Sequence, residues 1–311
     1  GRTIFFDAAL TGNQPQIFKL NPDSALPQKL GSPGTHLLSV SSKGELAVLT
    51  DVRFLVFRLF SGTLARMTTE GQTRPWMDDV READWSPDGD TVAIVHVVGS
   101  TDKLEYPKDH VLYQTQGYLS DLRVSPDGSR VAFMEHPVKW DDRGFVKVVD
   151  RDGGPPTTLA GEFWGEQGLA WSRDGATVYF SATVVAVGDY LSWAVSPSGR
   201  RAPRQVLSGA GSLYVQDIAG ADGHGQWLVT RQDWSQSIRA LIPGATEERE
   251  FSWGNNAYRP TLSRDGKTLL FSDANTEAGR NYGIGDRPTD GRPAVPLGDG
   301  ALCGFSPDER W

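Results

Sequence analysis

The chain lacks most of the features that announce an enzyme, a membrane protein or a nucleic-acid binder. It has one cysteine, Cys303, so no disulfide can form within it. That cysteine sits beside Phe305 and is expected to be a small buried hydrophobe on an apolar strand. A chain without disulfides fits either redox compartment. No run approaches the ~20 apolar residues of a spanning helix, so direct membrane insertion is not expected. A signal-peptide pattern is also missing. Basic residues are outnumbered, 31 Lys plus Arg against 39 Asp plus Glu, for a net charge of −8. That balance leaves no electrostatic footprint for nucleic acid. No long segment keeps the 3.6-residue period of an amphipathic helix. The five histidines, at 36, 96, 110, 136 and 224, have no His or Cys partner at metal-ligand spacing. Neither a metal nor another cofactor is expected.

Turn residues are abundant instead: 35 Gly and 19 Pro fall between short apolar runs, the mark of many short strands. The clearest unit is Ala83-Asp-Trp-Ser-Pro-Asp-Gly-Asp-Thr-Val-Ala-Ile-Val95. It reads as a strand ending at Ser86, a tight turn, and a β-branched apolar strand. Copies follow at 124–133, 171–180 and 262–271, with worn ones at 38–49 and 217–229 and a truncated one at 305–311. The motif serine, or its replacement, stands at 41, 86, 125, 172, 219, 263 and 306, at intervals of 39 to 47 residues. Such a period, built of strands without helices, is that of propeller blades. Further strands are expected at 144–150, at 156–160 and, as the third strand of the blade that holds Ser86, at 109–114.

The two ends look complementary. Gly1-Arg-Thr-Ile-Phe-Phe6 reads as the second half of a motif, and Phe305-Ser-Pro-Asp-Glu-Arg-Trp311 as a first half. The expected fold is therefore all-β: a single seven-bladed β-propeller over 1–311, with four-stranded antiparallel blades. The N- and C-terminal segments would close one blade, which removes unpaired edges. The blades are placed at 306–311 plus 1–35, 36–80, 81–119, 120–165, 166–212, 213–257 and 258–305. The abrupt start at Gly1 reads as a piece of a larger protein.

The Trp-Ser-Pro-Asp-Gly pattern at 85–89 and its copies resemble the WD40-like (PD40) repeats of TolB and prolyl-oligopeptidase propellers. The stretches 112–128, 136–144 and 166–172 resemble propeller regions of bacterial receptor-type serine/threonine protein kinases. That resemblance implies an extracytoplasmic, periplasmic or cell-surface sensor domain of a membrane-anchored signalling protein. No kinase motif is present: His-Arg-Asp, Asp-Phe-Gly and a glycine-rich nucleotide loop are all missing. A serine-hydrolase elbow is missing too, and Gly209-Ala-Gly-Ser-Leu213 has the wrong phase for one. The chain is expected to bind rather than catalyse. The alternatives are an accessory propeller of a prolyl-oligopeptidase-type peptidase and a TolB-like interaction platform.

Candidate binding residues follow from loop placement. In a propeller, the links between blades and the loops joining second to third strands ring one face, and loops carry function. Two such loops look long, 98–107 and 136–143. They offer Tyr106, His136, Trp140, Asp141, Asp142 and Arg143, and Trp164 lies on a neighbouring link. The loop charges either pair with each other in a plain hairpin or serve a ligand. Trp164 either packs on the next blade or anchors a partner. The expected partner is a peptide, protein or carbohydrate on this face. Asp84, Asp88, Asp90, Asp150 and Asp152 are read as turn formers, because the spacing of a calcium loop and its terminal Glu are missing. Trp85 and Trp171 are read as packing residues.

Overall fold

The computed structural model describes residues 3–10, 12–21, 23–56, 59–186, 188–219, 225–274 and 282–308. All regular structure among them is β-strand. A three-stranded antiparallel sheet holds β1 (Ile4–Ala8), β2 (Gln16–Leu20) and β3 (Gln28–Leu30). Seven strands then pair in succession: β4 (His36–Val40), β5 (Leu46–Val56), β6 (Leu59–Met67), β7 (Thr73–Trp85), β8 (Val92–Val98), β9 (Thr101–Glu105) and β10 (Val111–Thr115). Two four-stranded meanders follow. The first is β11 (Tyr118–Val124), β12 (Arg130–His136), β13 (Gly144–Asp150) and β14 (Thr157–Phe163). The second is β15 (Gly165–Trp171), β16 (Val178–Thr183), β17 (Leu191–Val195) and β18 (Arg204–Leu207). Next come two pairs, β19 (Ser212–Ala219) with β20 (Gln226–Gln232) and β21 (Arg239–Ala240) with β22 (Arg249–Glu250). A last four-stranded sheet holds β23 (Ala257–Leu262), β24 (Thr268–Asp273), β25 (Gly283–Pro288) and β26 (Val295–Asp299).

Packing divides the chain into two compact units. One comprises Gly1–Ala182, Ser192–Ser208 and Tyr214–Thr230, the other Thr183–Leu191, Gly209–Leu213 and Arg231–Trp311.

The repeated motif folds the same way each time. At Ser86, Ser125, Ser172 and Ser263 the serine N–H donates to the carbonyl five residues on, each at 2.8 Å. The serine hydroxyl accepts the N–H of that same later residue at 2.9–3.0 Å. It also donates to the Asp two residues on, at 2.5–2.8 Å. The glycine that follows, at 89, 128, 175 and 266, has φ of 68° to 72°, a conformation that costs Gly little. These aspartates therefore work inside their own turns.

In the first unit the sheets meet through apolar side chains. Leu119, Leu122 and Val124 of β11 pack with Ala93 and Val95 of β8, Leu104 of β9, and Tyr106. Trp171, Leu169 and Phe180 pack with Ala132, Met134 and Val146. Each buried Leu, Val, Phe or Met among them contributes about 1.5–3 kcal/mol. Polar side chains staple the same seams to the next sheet's first strand. Asp84 accepts the N–H of Val124 (2.8 Å), Asp102 that of Leu119 (3.0 Å), Asp121 that of Gly168 (2.7 Å) and Ser181 that of Val215 (3.0 Å). Within the second unit, Ser272 likewise accepts the N–H of Leu302 at 2.8 Å.

Several expectations need correction. Residues 98–107 are not a loop: after a turn at Gly99-Ser100 they form β9. Counting β7, which leads into Ser86, as the first, the stretch 109–114 contributes the fourth strand, β10, and not the third. Strand β7 runs through residue 80 because Thr73–Trp85 stays extended, so the sheets expected as 36–80 and 81–119 are continuous. Residues 213–257 hold two separate strand pairs, not one four-stranded sheet; β21 and β22 are fully exposed and two residues long. Cys303 is exposed, and residues 301–305 form no strand. Of the expected closing strand, Ser306–Asp308 form a turn with Ser306 Oγ donating to Asp308 at 2.7 Å. Residues 309–311 lie outside the described residues, as do 220–224 with His224.

Candidate functional site

The segment 137–143 joins β12 to β13 and is held in one shape by its own charges. Asp141 accepts the Arg143 backbone N–H at 3.0 Å and the guanidinium through Nε at 2.9 Å and Nη2 at 2.6 Å. Arg143 thereby holds the Asp141 carboxyl below the ordinary carboxylate range, and Asp141 in turn raises Arg143. The Arg143 guanidinium lies 5.4 Å from the ring centre of Trp164, within cation–π range. Trp164 is 47% exposed, and Trp140 at the tip of the segment is 69% exposed. Trp140 also has φ +73°, an outlier for a bulky residue and a conformation held by its surroundings.

A buried polar network lies beneath this segment. The Tyr118 and His136 rings stack with centroids 4.1 Å apart and planes 6° from parallel. Tyr118 Oη donates to Asp142 Oδ1 at 3.0 Å. His136 Nδ1 is 3.1 Å from the Asp142 carbonyl, and its Nε2 is 3.0 Å from Ser120 Oγ. Ser120 Oγ in turn lies 2.8 Å from Asp121 Oδ2. Glu166, on β15, is fully buried. A Cβ on Gly144 would fall 2.2 Å from Glu166 Oε1, so that carboxylate rests directly on the backbone at the base of the segment. Ser120 and His136 have the spacing of a nucleophile and base, and both are buried.

The structure thus brings together His136, Trp140, Asp141, Asp142, Arg143 and Trp164. Tyr106 does not join them, and its expected place on this face is corrected. It sits in the turn between β9 and β10, whereas the β8–β9 turn lies at the other end of the antiparallel sheet. Its side chain is fully buried, with the Arg151 guanidinium 4.8 Å from its ring centre, and burial raises its phenol. Sequence reasoning missed Tyr118, Ser120, Asp121 and Glu166. The available signal was polar residues alternating along first strands that are otherwise apolar.

On the same end of the first unit, Lys139 Nζ donates to the Ser100 carbonyl at 2.7 Å, tying the segment to the β8–β9 turn. Beside that turn is a cleft of about 370 Å³ lined by Val98, Thr101, Lys103, Gln114, Thr115 and Gln116. Among the described residues no group of three or more His, Cys, Asp or Glu side chains could hold a metal ion.

No protein-family model matches the chain, and no curated protein matches it. Solved structures do. TolB from Acinetobacter baumannii aligns over 96% of this chain and 64% of its own length, at 12% identity and a TM-score of 0.50. The fold is similar to that of a β-propeller protein. This propeller therefore spans less than two thirds of that protein. A putative TolB from Agrobacterium tumefaciens aligns over 99% of this chain and 95% of its own (17% identity, TM-score 0.45). The β-propeller domain of the Trilobed protease from Pyrococcus furiosus aligns over 96% and 95% (11% identity, TM-score 0.44). Among the described residues, no helix is long and apolar enough to cross a membrane.

Proposed function

We propose that this propeller is a non-catalytic binding module, an extracytoplasmic sensor that docks a peptide, protein or carbohydrate on the face carrying Trp140 and Trp164. In the full proposal it has seven blades, one closed by the two chain ends, and belongs to a membrane-anchored receptor-type serine/threonine kinase. The observation that carries the binding role is the pair of exposed indoles, Trp140 on the braced 137–143 segment and Trp164 between β14 and β15. Trp140 is 69% and Trp164 47% exposed, and Arg143, clamped by Asp141, reaches over Trp164. Aromatic and Arg side chains fixed in this way lose little freedom on binding, which is why they dominate binding energy. The polar cleft beside the β8–β9 turn adds amide and hydroxyl groups for orientation. A TolB-like interaction platform is the coarser form of the same reading.

The test is selection of displayed peptides and arrayed glycans on the intact chain, then measurement of affinity for Trp140→Ala, Trp164→Ala and Asp142→Asn. Melting temperature confirms folding of each. A tenfold or greater loss in either Trp variant supports the reading; unchanged affinity in all three overturns it. The kinase assignment is tested by the encoding reading frame. An upstream spanning helix and kinase domain support it, and a downstream α/β-hydrolase domain makes this a peptidase accessory instead.

A further inference from the structure

The cleft beside the β8–β9 turn is built from side chains that share one face of three strands. Register sets His96 of β8 opposite Lys103 of β9 and Val98 opposite Thr101, with Gln114 of β10 on the other side of Lys103. Alternation along the strands turns Val98, Thr101, Lys103, Gln114 and Gln116 to the same side, and all five line the cleft. Part of its polar surface is already engaged. The Ser100 hydroxyl donates to Gln116 Oε1 at 3.0 Å, and Gln116 Nε2 donates to Thr101 Oγ1 at 2.9 Å. What is left over is mostly donors. Among the described residues the Lys103 ammonium, the hydrogen of the Thr101 hydroxyl and the Gln114 side-chain amide meet no partner.

Charge points the same way. No carboxylate lines the cleft, and the two acids that flank Lys103 on β9 are engaged elsewhere. Asp102, on the opposite face, holds Arg81 and the Leu119 N–H. Glu105 holds His96 Nδ1 at 3.1 Å and the Asp109 N–H at 2.9 Å. Lys103 is half-buried, and one such ammonium among neutral donors fits one negative charge carried on oxygens. Hydrogen bonds of that kind are about twice as strong as neutral ones. A volume of about 370 Å³ is small for a ligand cleft and suits a single acidic group. Strand β10 supplies a track for what carries that group. It is the last strand of its sheet, so one side of its backbone has no partner strand, and an extended peptide can pair along such an edge. Lys139 ties the same turn to the segment bearing Trp140.

We infer that the cleft takes the side-chain carboxylate of an acidic peptide lying along β10, with Lys103 as counter-ion and Thr101 and Gln114 as donors; this rests on reading this end of the first unit as the binding face. The test uses the intact chain with ¹⁵N in its glutamine side chains, followed by NMR, and Gln114→Ser assigns the Gln114 signal. The probe is the blocked peptide acetyl-Thr-Val-Glu-Val-Thr-amide, compared with the same peptide carrying Gln for Glu, with glucuronate and with inorganic phosphate. The Glu peptide should shift the Gln114 signal, and added salt should weaken its binding. The Gln peptide should bind at least tenfold more weakly, and glucuronate and phosphate should also bind less tightly than the Glu peptide. Lys103→Met should cost the Glu peptide tenfold or more, and Lys103→Arg should keep most of its affinity. The Glu–Gln comparison on the wild-type chain decides even where a Lys103 variant does not fold. A Gln114 signal that does not move, equal affinity for the two peptides, an affinity unchanged in Lys103→Met, or tighter binding of glucuronate or phosphate overturns the inference. A negative titration leaves a partner lost with Trp140→Ala standing, and indole variants without effect leave a positive titration standing.

Discussion

Arg81 and Asp102 form a buried two-point ion pair, Nε to Oδ2 at 2.9 Å and Nη2 to Oδ1 at 3.2 Å. Arg81 spends a further hydrogen on the Phe60 carbonyl at 2.7 Å, and Asp102 accepts the Leu119 N–H at 3.0 Å. One pair thus ties β6, β7, β9 and the first strand of the next sheet. Removing one partner leaves the other charged and buried, at a cost of about 3–5 kcal/mol. Asp102→Ala and Arg81→Met should each lower stability by that amount in urea unfolding, while the double Arg81→Met/Asp102→Leu regains part of it. A single-variant loss below about 1 kcal/mol would show that the pair is dispensable.

Asp127 shows how the repeated turn responds to acid. The Ser125 hydroxyl, then the Ser129 N–H, lower its carboxyl from 3.8 to about 2. A carboxyl depressed in the folded state stabilises fully above the unfolded value and loses that contribution as pH falls through the folded one. Asp88, Asp174 and Asp265 are lowered by the same kind of contacts. Stability should therefore fall as pH drops from 4 toward 2. Ser125→Ala should cost about 1–2 kcal/mol at pH 7 and flatten the acid slope. An unchanged slope in Ser125→Ala counts against the turn as its source.

Asp84 behaves in the opposite sense. Burial raises its carboxyl, against the weaker pull of Arg123, Ser39 and the Val124 N–H. A carboxyl raised in the folded state contributes below the unfolded value and loses that contribution as pH rises through the folded one. Asn keeps an oxygen for the Val124 N–H and carries no charge. The stability of Asp84→Asn relative to wild type should therefore rise from pH 3 to pH 8 in thermal melts. A relative stability that falls over that range would mean that the ionised carboxylate is favoured in the seam.

The sequence made the hairpins legible because the signal is local. Ser86, Asp88 and Gly89 each have a role that turn chemistry assigns without tertiary context, and the same roles recur at Ser125 and Ser172. The charge pairing of the 137–143 segment is local too: Asp141 and Arg143, two residues apart, hold each other. What stayed hidden is non-local. The Ser120–His136 contact spans two strands, and the Asp121 staple reaches Gly168, 47 residues on. Tyr106 was misplaced because the polar Thr101-Asp-Lys reads as loop. Asp102 within it is instead a buried strand residue whose charge is met by Arg81.

Two tryptophans separate packing from presentation. Trp171 is buried, donates through Nε1 to the Arg123 carbonyl at 3.0 Å, and lies in the cluster with Leu169 and Phe180. Trp171→Ala leaves a large cavity and a carbonyl without its donor, so a loss of about 3–5 kcal/mol is expected. Trp140 is 69% exposed and sits at φ +73°. Its removal forfeits little burial, and Gly adopts that backbone without the roughly 1 kcal/mol penalty of an L side chain. Trp140→Ala should stay within about 0.5 kcal/mol of wild type. Trp140→Gly should gain or hold stability, offset in part by the freer unfolded chain. Both are read by chemical denaturation. If Trp140→Gly instead loses more than about 1 kcal/mol, the indole is a packing element and the binding-face reading loses its anchor. If stability holds and partner affinity falls, the strained backbone at residue 140 is kept for presentation.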